Sequence, residues 1–248
     1  MTVMEPVKLS FVACVSDLEV LRQRLLSSAC LKPGGCKLTV YFNAASAAEG
    51  FNAAIASQES LASGGSWLVW VHQDVFLPEG WETRFEKGLT EAVQRFPKLA
   101  VAGVYGIAGR GASARRAGHV LDRGALLQEL PSLPCLVDSL DELLFAVRID
   151  SGLRLDPLLG FDFYATDLVL QAQARSLQCA VLDAYCEHWS GTPASGAVAQ
   201  AVVNRIKASA LAFEQKWASR LPITTPCFHI AKPGDVASFI DSVVVTSS

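Results

Sequence analysis

Five apolar residues that stop abruptly at a polar triplet constrain this chain most. Trp67-Leu68-Val69-Trp70-Val71 runs into His72-Gln73-Asp74, and Val75-Phe76-Leu77-Pro78 follows. Nothing in the run alternates, and β-branched and aromatic residues dominate, so it predicts a strand buried on both faces. Ligand crevices of open α/β sheets lie at the carboxyl ends of strands, which is where His72, Gln73 and Asp74 stand. An acid there can hold a divalent cation. The same Asp74 can also turn the chain before Pro78, with His72 satisfied by backbone.

Strands and helices alternate around this run. Lys8 to Val15 reads as a first strand, and Ser16 or Asp17 as the cap of a helix to about Ala29. Lys37 to Phe42 reads as a second strand. A small-residue helix from Ala47 to about Ala62 follows, ended by Gly64-Gly65. After the central strand come a helix from about Glu79 to Arg95 and a strand from Leu99 to Tyr105. Through about residue 105 this is the pattern of a parallel sheet covered by helices. Gly106 to Gly124, rich in Gly and Arg, reads as a long loop. A strand over Leu143 to Val147, a helix from about Ala165 to Ser176, a short strand over Cys179 to Leu182 and an amphipathic helix from about Ala197 to Arg220 complete the order. Residues 1–223 are expected to form one domain and 224–248 a C-terminal appendage.

Hydrophobic residues make up 51% of the 248 and charged residues 18%, with a net charge of −3. That balance argues against a disordered chain or a nucleic-acid partner, although Arg110, Arg115 and Arg116 form one local basic cluster. The seven cysteines show no CxxC or CxxH spacing, so neither a zinc site nor a disulfide framework is expected. Reduced thiols in a cytoplasm are the default. Met1 to Lys8 has no secretory pattern, and no apolar run approaches ~18 residues. The expected location is therefore cytoplasmic, with peripheral work at the inner face of a membrane where the product is destined for the surface.

Four further stretches carry a resemblance: Ser46-Ala47-Ala48-Glu49-Gly50-Phe51-Asn52, Val71-His72-Gln73-Asp74-Val75, Phe161-Asp162-Phe163-Tyr164-Ala165-Thr166-Asp167-Leu168-Val169-Leu170-Gln171-Ala172, and His188-Trp189-Ser190-Gly191. With the closing Phe213-Glu214-Gln215-Lys216-Trp217, their order and spacing over residues 7–222 resemble glycosyltransferase family 2, in a bacterial glycosyltransferase-like subfamily. The resemblance implies an α/β fold of the GT-A type, with a mostly parallel central sheet flanked by helices. A nucleotide-binding half would extend to about residue 105 and an acceptor-binding half over 106–223. It also implies a hexosyltransferase, inverting in stereochemistry. The enzyme would move a sugar from a nucleotide diphosphate donor, a UDP-sugar foremost, to a carbohydrate or lipid-linked acceptor, as in cell-surface polysaccharide synthesis.

Site residues follow from the same resemblance. Of the family's acidic metal motif only the last acid is present, as Asp74, with His72 where an acid often stands. His188 resembles a further metal ligand. Mn²⁺ or Mg²⁺ is implied, and an imidazole beside a carboxylate suits Mn²⁺ better. Ser16 and Asp17 would flank base and ribose, with Asn52 and Gln73 lining the same side. Asp141 and Glu142 would contact the acceptor. Asp167, one turn into its helix, or Asp162 just upstream would act as base, since Ala165 stands at the usual position of that acid. The Arg110, Arg115, Arg116 loop could clamp a diphosphate or a phosphorylated lipid carrier.

Structural roles compete at each of these positions. Asp17 can simply cap a helix, Asp167 can be a helix N-terminal acid, and His188 can be an imidazole pinned beside Trp189. Two other functions stay open. A sugar nucleotidyltransferase shares the architecture, although no Gly-rich basic loop follows the first strand. A catalytically degenerate nucleotide-sugar-binding or scaffold protein would account for Ala165 and the missing first acid.

Overall fold

The computed structural model describes residues 7–59, 66–129, 132–189, 198–243 and 246–247. Strand β1, Lys8–Val15, leads to helix α1, Leu18–Gln23, which is capped as expected by Asp17. The helix is shorter than the sequence suggests. Arg24 leaves helical geometry at φ −113°, ψ −85°, and two short 3₁₀ turns carry the chain to Leu31. Strand β2, Lys37–Phe42, and helix α2, Ala47–Glu59, follow; the expected Gly64-Gly65 stop lies outside the described residues. Next come β3, Ser66–Val71, the short β4, Val75–Phe76, and α3, Trp81–Arg95.

The stretch from Leu99 to Tyr105 is two strands rather than one: β5, Leu99–Gly103, and β6, Tyr105–Ala108, which belong to different sheets. The Gly- and Arg-rich segment expected as a loop is mostly strand, with β7 at Arg115–Asp122 and β8 at Ala125–Glu129. Its glycine content serves packing. Gly118 has φ 127°, and a Cβ there would sit 2.2 Å from the Val104 carbonyl oxygen, so glycine lets β7 approach β6 closely. Short strands β9, Cys135–Leu136, and β10, Ser139–Leu140, precede β11, Leu144–Arg148. Helix α4, Tyr164–Ala174, then β12, Gln178–Val181, and β13, Cys186–His188, complete the region around the site. Strand β14, Val198–Ala199, leads into α5, Gln200–Lys216. A hairpin of β15, Ile223–Thr224, and β16, His229–Ile230, precedes α6, Asp235–Val243, and β17, Thr246–Ser247.

The expected α/β architecture, a central sheet flanked by helices, is the one the chain adopts. Its strand order is β2-β1-β3-β11-β5-β12-β9. The sheet is mixed rather than mostly parallel as expected: β2, β1 and β3 run parallel, β11 inserts antiparallel to both β3 and β5, β12 is parallel to β5, and β9 closes the edge antiparallel to β12. Strand β3 shows why the apolar run had to be continuous. Leu68 and Trp70 enter the core under α2 and α4, while Trp67, Val69 and Val71 enter the opposite core with Trp81, Phe85 and Leu89 of α3. Successive side chains on a strand point to opposite faces, so burial on both sides leaves no polar position.

A second sheet, β10-β6-β7-β13-β4, sits beyond the carboxyl end of β3. Its register places His188 opposite both Val75 and Asp122. The C-terminal residues join this body: Ile230, Val236 and Ile240 are buried, and Glu214 of α5 accepts from the backbone N–H groups of Gly234 and Val236.

Candidate functional site

The polar triplet leaves β3 with its backbone held, because the His72 N–H donates to the Leu143 carbonyl at 3.0 Å. The Asp74 carbonyl accepts from the Trp189 N–H at 3.0 Å, which brings the end of β13 against it. The result is a cluster. His188 Nε2 lies 3.4 Å from Asp74 Oδ1, and His72 Nδ1 lies 4.0 Å from the same oxygen. One ligand atom from each of His72, Asp74 and His188 falls within 4.8 Å of the others. The Asp74 and His188 pairing expected from sequence is therefore present, and His72 joins it.

Each imidazole is oriented from behind. His188 Nδ1 lies 2.9 Å from Asp122 Oδ1 on β7. His72 Nε2 lies 2.7 Å from the Tyr164 hydroxyl, which also accepts from the Trp70 indole N–H at 3.1 Å. If His72 donates there as well, the tyrosine proton is left for the Glu142 carbonyl, 3.4 Å away. That tautomer, assigned from the hydrogen-bond chain, turns the Nδ1 lone pair toward Asp74. Second partners of this kind fix ring orientation and raise ligand basicity in metal sites. Two imidazoles and one carboxylate so supported fit a divalent cation, and fit nitrogen-accepting metals better than Mg²⁺, which prefers all-oxygen shells.

The electrostatics agree. Burial would lower the His188 pKa, but the hydrogen bonds to Asp122 and Asp74 outweigh it and raise it to about 10. Burial also acts on His72, where the neighbouring His188 charge adds to it and lowers the pKa to about 4. At Asp74 and Asp122 burial pushes upward, but bonding to His188 prevails and holds both carboxyls below their ordinary range. Without metal a proton on His188 occupies the centre of the cluster. A cation and that proton compete for the same Nε2.

A cavity of about 320 Å³ opens beside the cluster, lined by Val15, Ser16, Asn43, Trp70, Gln73 and Arg205 among others. Gln73 ties the ends of β1 and β3 together: its side-chain oxygen accepts from the N–H groups of Ser16 and Asp17 at 3.0 Å each, and its amide donates to Ser16 Oγ at 3.2 Å. Asn43, at φ 51°, sits on the rim. Positive φ at a non-glycine residue is uncommon, although asparagine tolerates it better than most.

Other expected residues lie elsewhere. Asp17 spends a carboxylate oxygen on the N–H groups of Glu19 and Val20. Asn52 does not line the cavity: its amide exchanges two 2.9 Å bonds with the Leu155 backbone. Asp167 is fully buried and turned toward α5. Its oxygens are engaged by Lys216 Nζ at 2.8 Å, the Trp217 indole N–H at 2.7 Å and the Gln171 amide at 2.7 Å. The closing Lys216-Trp217 pair thus anchors a helix start. Arg110 is tied to Asp138 and Gln173, and Arg116 reaches Tyr105; the basic cluster does not line the cavity beside the metal-type cluster.

Asp141, Glu142 and Asp162 line a second cavity of about 220 Å³, closed by Thr225, Pro226, Cys227 and Phe228. Burial pushes the Asp141 carboxyl up, and burial with the nearby Asp162 and Asp141 charges pushes Glu142 well above the carboxylate range. Asp162 is paired with Arg205. Sequence reading assigned no part to Asp122, Tyr164, Asn43 or Arg205. Tyr164, at the start of α4 and three residues before Asp167, is the one of these within the stretches that carry the resemblance. Among the described residues no helix is long and apolar enough to cross a membrane.

No known family model matches the chain. A curated protein of Fuscovulum blasticum, "ATP synthase subunits region ORF 6", is 28% identical over 134 residues, which is 50% of this chain and 52% of that protein. The chain thus spans about half the length of the curated relative it matches. Among solved structures, A197 from STIV is similar at TM-score 0.45 and 10% identity, over 72% of this chain and 83% of that one. S. aureus TarS 1-349, solved in complex with UDP-GlcNAc, is similar at 0.44 and 11% identity, over 82% of this chain and 66% of that one. The inositol-1-phosphate CTP transferase from T. maritima is similar at 0.35 and 11% identity, over 84% and 98%. With scores this low, the architecture is read from the chain's own strand order.

Proposed function

We propose that this chain is a glycosyltransferase of the family 2 kind, moving a sugar from a nucleotide diphosphate donor to a carbohydrate or lipid-linked acceptor. The observation that carries the reading is the convergence of His72, Asp74 and His188 at the strand ends beside a cavity fit for a ligand. Mn²⁺ is the favoured cation, held by these three residues, and when bound it supplies Lewis-acid stabilisation of a leaving diphosphate. Ser16 and Gln73 form the floor for the nucleotide, a UDP-sugar foremost, and Arg205 offers the guanidinium that phosphate oxygens match.

The second cavity takes the acceptor. Glu142, whose carboxyl burial pushes well above the carboxylate range, faces the acceptor, and the base is assigned to Asp162, which lines the same cavity, rather than to the enclosed Asp167. In an inverting transfer the acceptor O–H passes its proton to the Asp162 carboxylate as its oxygen bonds the anomeric carbon. The sugar–phosphate bond breaks, and its electron pair leaves with the nucleoside diphosphate. The division of labour follows: the first cavity draws mainly on residues before 105, the second entirely on residues after it, including Thr225 to Phe228. A cytoplasmic setting, at the inner membrane face where the acceptor is lipid-linked, accords with seven free cysteines.

A screen of nucleoside diphosphates and nucleotide sugars with and without Mn²⁺ tests this by thermal shift. A ligand at 100 times its Kd adds ~2.7 kcal/mol, a rise of about 5–10 °C. A Mn²⁺-dependent rise with one nucleotide, lost in Asp74→Ala, is expected; no rise with any nucleotide refutes donor binding. The buried Ala165 and the enclosure of Asp167 favour a second reading, a nucleotide-sugar binder without turnover. Slow donor hydrolysis with Mn²⁺ would exclude it.

A further inference from the structure

The two cavities share a wall. It is built from Phe161-Asp162-Phe163 and from Arg205-Ile206 of α5. Phe161 and Arg205 face the first cavity; Asp162, Phe163 and Ile206 face the second. Phe163 holds this alternation with a left-handed backbone, φ 64°, a costly conformation for a bulky residue that tends to occur at ligand sites.

Through this wall runs one ion pair. Arg205 Nε donates to Asp162 Oδ2 at 2.9 Å and Nη2 to Oδ1 at 3.2 Å. Ser209, one turn along α5 and buried, adds an Oγ contact to Oδ2 at 3.3 Å. The Arg205 side chain is 45% exposed and that of Asp162 13%, so the guanidinium can move more freely than the carboxylate. Among the residues lining the first cavity, Arg205 is the one Lys or Arg. A guanidinium fork matches phosphate as well as carboxylate. A diphosphate in the first cavity and the carboxylate facing the second therefore compete for the same donors.

Resting on the donor-binding reading above, we infer that Arg205 is a donor-responsive switch: a diphosphate in the first cavity draws the guanidinium off Asp162, and the released carboxylate becomes a hydroxyl acceptor in the second. Ser209 keeps one bond to the carboxylate after the release. While both oxygens are held by Arg205, Asp162 has less capacity to accept from an acceptor hydroxyl. Donor binding therefore promotes acceptor binding, and by linkage the acceptor tightens the donor by the same factor.

Calorimetric titration of UDP with MnCl₂ into the wild type, Arg205→Ala, Asp162→Asn and the double variant tests this. Arg205→Ala is expected to weaken UDP about tenfold or more, as loss of a charge-assisted contact does. Asp162→Asn, which releases Arg205 in advance, is expected to tighten UDP several-fold, and that gain should vanish in the double variant. Arg205→Lys, retaining charge without the fork, should fall between wild type and Arg205→Ala. UDP affinity that is unchanged or weakened by Asp162→Asn, or a gain that persists without Arg205, overturns the switch while leaving donor binding intact. Absence of binding by the wild type to any nucleoside diphosphate with Mn²⁺ overturns the donor-binding reading, and the switch with it.

Discussion

Asp74 and Asp167 are two carboxylates met by cationic or N–H partners, with opposite outcomes. Around Asp167 every polar direction is closed: Lys216, Trp217 and Gln171 take its oxygens, and no surface is left to solvent. Around Asp74 the partners are imidazoles, at 3.4 and 4.0 Å, and the carboxylate borders a cavity. A site is distinguished by partners that can release a proton and by room to replace it. Lys216 and the indole offer no lone pair to an ion at neutral pH; an imidazole does once a cation displaces its proton. The Asp167 cluster is a joint in the fold, the Asp74 cluster the proposed place for an ion.

Breaking the joint should have the largest effect. Asp167→Ala leaves Lys216 and Trp217 facing an emptied, buried position, and removing one partner of a buried pair costs about 3 kcal/mol or more. A melting temperature lower by about 6–12 °C is expected, with Mn²⁺ affinity of the folded protein unchanged. An equal loss of metal affinity would show that the two clusters are not separate.

Asp74→Ala should do the reverse. Loss of the central ligand is expected to weaken Mn²⁺ at least about 100-fold, more than the loss of an outer partner, while the metal-free protein melts within a few degrees of wild type. Isothermal titration with Mn²⁺, and Mg²⁺ as control, measures it. Mg²⁺ binding as tight as Mn²⁺ would contradict the nitrogen-rich donor set.

Between these lies Asp122→Asn. The amide can still meet His188 Nδ1 but carries no charge, so Mn²⁺ affinity should fall by about 10-fold with little change in stability. An unaffected affinity would reduce Asp122 to a bystander of β7.

The same contrast sets how far the sequence could be read. The run from Trp67 to Val71 announced its own burial, and Asp74 announced its place at a strand end, because both signals are local. The resemblance alone brought His188 to Asp74, across more than a hundred positions. Asp122 falls within Gly106 to Gly124, whose Gly and Arg content reads as loop, yet Gly118 there permits close strand packing. Asn52 and Asp167 misled for a related reason. Polar residues on helices look alike in sequence, and only the structure shows that Leu155 already engages Asn52, and Lys216 and Trp217 Asp167. Arg205 was one polar position among many on α5 until the fold set it between two cavities.

The smallest effect expected is that of Tyr164→Phe, and it is the sharpest test of whether orientation from behind matters. The hydroxyl touches His72 Nε2 at 2.7 Å and the Trp70 indole at 3.1 Å and hydrogen-bonds neither Asp74 nor His188. Removing it leaves the Trp70 N–H its second acceptor, the Glu142 carbonyl at 3.1 Å, so the stability cost should stay near 1 kcal/mol. His72, by contrast, loses the bond that selects its tautomer. If His72 is a metal ligand, Mn²⁺ affinity should drop several-fold while Asp122→Asn costs more, because His188 has the closer approach to Asp74. If His72 only packs against Trp70, Tyr164→Phe should change the melting temperature and leave the titration with Mn²⁺ unmoved.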